Sequence, residues 1–264
     1  MNIMSVEITK EILDQTKGVA VELYKDAMRP IVKPVGEILG FLPRTLKLAL
    51  SSWEKWLING EETIRLTAES VREQLQALPV ENLVEPEPYV AIPAMQQLSY
   101  CVNNEELREL YANLLVSSMN TDKKWQVHPS FVDIIKQITP DEAKLLKQFL
   151  PTTVQNYPLM DVRLENQQEE GNVLYSNFTD IGLDLIDVSK NIGLYIDNFV
   201  RLKIIEIPPA RIYADSATYE RLKQHPILQS HVPDISIDAL KIKYVYKVFN
   251  VTNFGASFIN TCCY

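Results

Sequence analysis

The chain has 264 residues, 46% hydrophobic and 23% charged, with 8 glycines and 15 prolines. That composition excludes a disordered polypeptide and suffices for one large domain or two of ordinary size. A formal net charge of −8 opposes nonspecific attraction to nucleic acid, but the charge is uneven: residues 29–50 hold four cations against one anion, and residues 81–122 hold seven anions against one cation.

The first residues, MNIMSVEITKEIL, lack the basic-then-apolar order of a secretory signal. The stretch IVKPVGEILGFLPRTLKLAL is interrupted by charges and prolines, which a membrane-spanning helix of roughly 20 apolar residues would not be. Cys101, Cys262 and Cys263 fit a reducing compartment, since two adjacent cysteines make a strained disulfide pair. A soluble, cytoplasmic protein is predicted.

From Ser5 to Leu78 the pattern is helical, with Pro30, Pro34 and Pro43 marking starts or kinks. Within it, Ile64, Thr67, Ala68, Val71, Leu75 and Leu78 share one helical face. The prolines of EPEPYVAIP predict extended backbone before a helix starting near Ile92. In NNEELRELYANLLVSSMN, Asn103 is the expected cap, and Leu107, Leu110, Tyr111, Leu114, Leu115 and Met119 form a core-facing stripe. In KWQVHPSFVDII, Pro129 suits the first helical position, and Phe131 leads the buried face that Ile134, Ile135 and Ile138 continue. Thr139, Pro140 and Glu142 then supply a complete start signal for another helix.

Past Leu150, prolines and the polar run ENQQEEGN predict a loop region, with or without short strands. Residues 177–207 read as helix, turn, helix, strand, and a short helix is expected near Ser216 to Gln224. LKIKYVYKVFNVT alternates as a strand with Ile242, Tyr244, Tyr246 and Val248 on one face, and a short closing helix follows. The expected fold is mainly α with a smaller α+β part: a helical domain over residues 1–138, then a winged-helix-like domain with a β-ribbon over residues 139–264. Thr252, Gly255 and Phe258 resemble the Thr-x-x-Gly-x-x-Phe element that ends many such ribbons.

A helix-turn-helix suggests nucleic acid. Lys190, Asn191, Asn198, Arg201 and Lys203 on its second helix, with Lys241 and Lys243 on the ribbon, are the candidate contacts. Asp180, Asp184 and Asp187 on the first helix would repel phosphate and argue for protein contacts instead. Arg221 and His225 approach the Arg/His spacing of metal-independent ribonucleases, but His225 precedes Pro226 and so stands at a helix end. No zinc spacing, phosphate-cradling glycine loop or nucleophile elbow occurs, so no catalytic residue, metal or cofactor is assigned. Arg44, Lys47, Trp53 and Trp56 mark a basic, apolar stretch suited to a membrane surface or a partner, although ordinary internal packing is the commoner use of such a helix. His128 reads as a helix-capping residue, because no Cys, Ser or carboxylate motif beside it asks for a base.

The blocks LRELYANLLVSSMN and VHPSFVDIIKQITPDEAKLLKQFL resemble the Abi-alpha family of bacterial abortive-infection proteins. The resemblance spans Pro86 to Leu150, with looser likeness in the amino-terminal helices and the TNFG element. It rests on a helix ending in small residues and Met, on the His128-Pro129-x-Phe131 step, and on the Thr139-Pro140-Asp-Glu-Ala start. It implies defence against bacteriophage and brings no catalytic residue. The expectation is a phage-defence protein acting through protein contacts or regulation, its partner a protein or a phage component. Self-association, nucleic-acid binding, peripheral membrane contact, and a nuclease or membrane-perturbing effector stand as alternatives.

Overall fold

A computed structural model describes residues 66–67, 70–98, 100–101, 103–186, 191–231 and 240–264. Arg44, Lys47, Trp53, Trp56 and Lys190 lie outside the described residues.

Helix α1 (Pro88–Leu98) begins earlier than the prolines suggested. Pro88 occupies the first position, where no N–H is needed, and Pro93 is carried inside the helix at the loss of one backbone bond. Burial of Val90, Ala91, Ala94 and Leu98 outweighs that loss. Helix α2 (Glu105–Ser118) is preceded by Asn104 at the cap position, not Asn103, and the Asn104 side chain makes no capping bond. Glu105 and Glu106 in its first turn complement the helix dipole instead.

The expected apolar stripe of α2 is buried at Leu110, Tyr111, Leu114 and Leu115, but Asn113, Ser117 and Ser118 are buried with it. Two of these polar groups serve the last helix, α8 (Asn253–Cys262). Asn113 Nδ2 donates to the Cys262 carbonyl at 2.9 Å, and Ser117 Oγ donates to the Thr261 carbonyl at 2.9 Å. Carbonyls at a helix C-terminus lack intrahelical partners, so these bonds complete α8. Gln74 Nε2 in turn donates to Asn113 Oδ1 at 2.9 Å.

Helices α3 (Ser130–Ile135) and α4 (Pro140–Leu146) follow as read. The capping box is complete, with Glu142 N donating to Thr139 Oγ1 at 3.2 Å and Thr139 N to Glu142 Oε2 at 2.6 Å. Phe131 is fully buried edge-on to Phe254 and Phe258, each at 5.3 Å between ring centres.

The sheet departs from expectation. Strands β1 (Asn156–Glu165) and β2 (Gly171–Phe178) form a long hairpin where a loop region, with or without short strands, was expected. With β3 (Ile205–Glu206) and β4 (Lys241–Val251) they make an antiparallel sheet of order β2-β1-β4-β3. β4 pairs with β1 along its length, from Asn156 opposite Asn250 to Glu165 opposite Lys241, whereas its ribbon with β3 is only two residue pairs long. Residues 181–185 form turns where the first helix of the helix-turn-helix was expected. Gly182, at φ 67° and packed against Leu145, has a conformation that no helix continues. The second expected helix is present as α5 (Ile192–Arg201).

Helices α6 (Ala217–Lys223) and α7 (Pro226–His231) complete the elements, and α6 covers one face of β4. There Tyr219 stacks on Tyr246 at 4.3 Å, and Lys223 lies over the Tyr244 and Tyr246 rings. The chain is mixed α+β and mostly helical. Its apolar core is continuous from Val90 to Cys263, with members on both sides of Thr139.

The Thr252–Gly255–Phe258 element works as a joint. Thr252 Oγ1 accepts from Gly255 N at 2.9 Å and donates to the Lys203 carbonyl at 2.5 Å, while Phe258 is fully buried. A Cβ on Gly255 would lie 1.9 Å from the Ile204 carbonyl oxygen. Gly255→Ala is therefore expected to destabilise the fold by about 1–3 kcal/mol, the usual range for overpacking, read as a lower urea midpoint. An unchanged midpoint would mean that this contact is not tight.

All three cysteines are free and buried. Burial pushes the Cys101 thiol up to about 11 and the Cys263 thiol up to about 12, and raises that of Cys262 well above its usual value. Thiolate is the reactive form, so raised values make these groups inert near pH 8, with reactivity growing only as pH climbs toward them. Ellman's reagent at pH 8 is expected to titrate almost no thiol in the native protein and all three in denaturant; rapid native labelling would contradict this burial.

Candidate functional site

The would-be recognition helix is tied into the molecule. Asn198 Nδ2 donates to the Gln137 carbonyl at 2.9 Å and to Glu142 Oε1 at 2.7 Å. Its Oδ1 accepts from Arg201 Nε at 3.0 Å and Nη2 at 2.6 Å, and Arg201 Nη1 reaches Gln137 Oε1 at 2.8 Å. These two side chains fasten α5 to the junction of α3 and α4. Asn191 precedes α5 at the cap position without capping it. Lys243 pairs with Glu165 at 3.0 Å and Glu169 at 3.4 Å, and the bond to Glu165 raises its pKa.

Lys203 and Lys241 are exposed. They belong to opposite ends of the sheet, because Lys203 sits beside the β3 end of β4 and Lys241 at its start. Residues 243 and 250 are separated by roughly 23 Å at the usual strand rise. Among the described residues, the exposed expected contacts Lys203 and Lys241 therefore stand at opposite ends of the sheet.

His128 acts as capping chemistry predicts. Its Nδ1 accepts from Ser130 N at 3.2 Å and lies 2.6 Å from Ser130 Oγ, and its ring sits about 6 Å from those of Phe131 and Phe254. Pro129 occupies the cap position one residue ahead of α3, a one-residue shift from expectation. Arg221 pairs with Asp180 at 3.1 Å. His225 stands between α6 and α7, where its Nδ1 accepts from Ile227 N at 3.3 Å and its ring meets Phe178 edge-on. Both line an open cleft, but each already has a structural partner.

A polar cluster that sequence reading missed joins four elements: Lys247 Nζ donates to Asp161 Oδ1 and Asn177 Oδ1, both at 2.5 Å, and Asn177 Nδ2 donates to Asp197 Oδ1 at 2.7 Å. It links β1, β2, α5 and β4 with mutually satisfied groups.

The surface feature with least structural explanation lies at the other end of the chain. Val84 N donates to the Met119 carbonyl and Thr121 N to the Asn82 carbonyl, each at 2.9 Å, which lays the segment before α1 along the end of α2. Beside this pairing is a groove of about 370 Å³ with Val84, Val90 and Val127 among its lining residues. Tyr89 and Trp125 also line it, 60% and 77% exposed. Trp125 Nε1 donates to the Asp122 carbonyl at 2.9 Å, which fixes the indole, and Lys124 pairs with Glu87 at 2.9 Å on the rim. Tyr89 and Trp125 thus leave two large aromatic surfaces exposed in one groove. Trp125 belongs to a single 3-10 turn, Lys124–Gln126, too short for periodicity to reveal its surroundings.

The family model described as abortive infection alpha matches residues 59–262. A solved structure of an uncharacterized protein from the hydrocarbon-degrading marine bacterium Alcanivorax borkumensis SK2 is similar at 15% identity, over 55% of this chain and 96% of that chain, with a TM-score of 0.34. No curated protein matches.

Proposed function

The chain belongs to the abortive infection alpha family, and from that membership we propose that it serves antiphage defence by seating a segment of a protein partner in the Trp125 groove. The observation that carries this reading is the pair of exposed aromatic rings, Tyr89 and Trp125, lining a groove with apolar valines. Large aromatic side chains of this kind contribute most of the binding energy at protein interfaces.

The charges of the groove lining balance, Glu87 against Lys124, so the partner is recognised through apolar and aromatic contact. A matching segment presents apolar or aromatic side chains to the rings of Tyr89 and Trp125. Residues 41–57 of this chain include Phe41, Trp53 and Trp56 among apolar neighbours, so binding by a second copy is an outcome the test must separate.

The winged-helix-like reading of the carboxy-terminal half is part of the proposal, supported by α5, its short strand β3 and the capped start of α8. In that reading the half serves as scaffold, since Asn198 and Arg201 are committed to internal bonds. A cytoplasmic site of action fits a defence that meets phage inside the cell.

Plaque assays on cells carrying the protein test the groove. Changing Tyr89 and Trp125 together to Ala is expected to reduce protection at least about tenfold, as loss of interface hot spots does, with an unchanged melting temperature. Trp125→Phe should keep most of the protection. If Trp53→Gln with Trp56→Gln abolishes both self-association and protection, the occupant is another copy of this chain. Full protection by a folded Tyr89/Trp125 double variant would remove the groove from the mechanism.

A further inference from the structure

We propose that the turn carrying Trp125 couples the groove to the last turn of α8, so that a partner segment seated in the groove tightens α8 on α2, and release of α8 loosens the groove. The coupling rests on the groove being the partner site and assigns its regulation.

Trp125 sits in the 3-10 turn Lys124–Gln126. With three residues per turn, side chains at i and i+3 eclipse, so residues 123 and 126 share one side of the turn and residues 124 and 127 another. The first pair faces α8. Lys123 Nζ donates to the Asn260 and Tyr264 carbonyls at 3.0 and 2.6 Å, and Gln126 Oε1 accepts from Asn260 Nδ2 at 2.9 Å. The second pair faces the groove: Lys124 and Val127 line it together with Trp125, whereas Lys123 and Gln126 do not.

None of the three residues of this turn is buried, so apolar packing contributes little to its position. Hydrogen bonds set it instead. On the groove side Lys124 Nζ donates to the Glu85 carbonyl at 3.0 Å and pairs with Glu87, and Trp125 Nε1 donates to the Asp122 carbonyl at 2.9 Å. On the α8 side the ammonium of Lys123 makes charge-assisted bonds, stronger than neutral ones. A single turn bonded from both sides is displaced as a unit when either set of bonds is lost.

The consequence for binding follows from linkage. A partner that fits Trp125 only where the clasped turn holds it has higher affinity for the clasped state, and it therefore shifts the population toward that state. The effect is reciprocal: whatever opens the clasp weakens the partner by the same factor. Asn260 is the hub, since its carbonyl and its side chain each take one of the two eclipsed residues.

Hydrogen exchange on the ¹⁵N-labelled full chain tests this without any partner, so its outcome is separate from that of the protection assays on the groove. With Trp53→Phe and Trp56→Phe, Trp125 is the one tryptophan left of three, and exchange of its indole N–H with water reads the groove side. The Cys263 amide, bonded to the Ile259 carbonyl at 2.9 Å, reads the α8 side. Well below the melting temperature, Lys123→Met and Asn260→Ala are each expected to speed indole exchange by about tenfold, the size of one such bond. Lys124→Met, on the groove rim, should speed exchange of the Cys263 amide by a comparable factor. Thr139→Ala, which removes the distant α4 capping box, should lower the melting temperature and leave the indole rate unchanged. The proposal is overturned if Lys123→Met and Asn260→Ala both leave the indole at its wild-type rate, or if Lys124→Met leaves the Cys263 amide at its own. It is overturned equally if Thr139→Ala speeds the indole as much as Lys123→Met, since the readout would then be general stability.

Discussion

The last turn of α8 is completed by side chains that come from far earlier in the chain. Asn113 and Ser117 on α2 donate to the Cys262 and Thr261 carbonyls, and Lys123 Nζ donates to the Asn260 and Tyr264 carbonyls at 3.0 and 2.6 Å. A buried hydrogen bond of this kind contributes a net of about 1 kcal/mol when made, but leaving its partner unsatisfied costs about 1–3 kcal/mol. Alternatives in which α8 leaves α2 thus strand polar groups on both helices. The apolar contact surrounding them makes closure favourable; the hydrogen bonds make it specific, because only one register of α8 on α2 satisfies them.

That closure also positions both ends of α8. Its first residues line a surface cleft, together with Lys203 from the end of α5. Its last residues are gripped by Lys123 and by Gln126, whose Oε1 accepts from Asn260 Nδ2 at 2.9 Å. Trp125 lies between those two residues in sequence and lines the groove. The ten residues of α8 therefore bridge groove and cleft, about 15 Å apart along the helix axis at 1.5 Å per residue.

What could be read from the sequence was local. The Thr139 capping box, the Thr252 cap and the His128 turn are decided by residues within three or four positions, and each is present. Strands β3 and β4 were legible, but the central pairing was not, because β1 finds β4 across α5, α6 and α7. Its burial is also irregular along the strand, so no clean alternation announces it. Charge counts misled at α5 for a related reason: composition reveals that Asn198 and Arg201 are polar, and only the fold reveals that Gln137 and Glu142 already engage them. Asn113 and Ser117 had no part in the stripe read from the sequence, yet they are the groups that bond to the partner helix.

Native-state hydrogen exchange across a denaturant series tests the closure of α8 on α2 most directly. If these bonds and the shared core make one cooperative body, amides in α2, α8 and β4 exchange through the same opening, with equal protection free energies and equal dependence on denaturant. Exchange of α2 amides through a separate opening of lower free energy, while β4 stays protected, would contradict it.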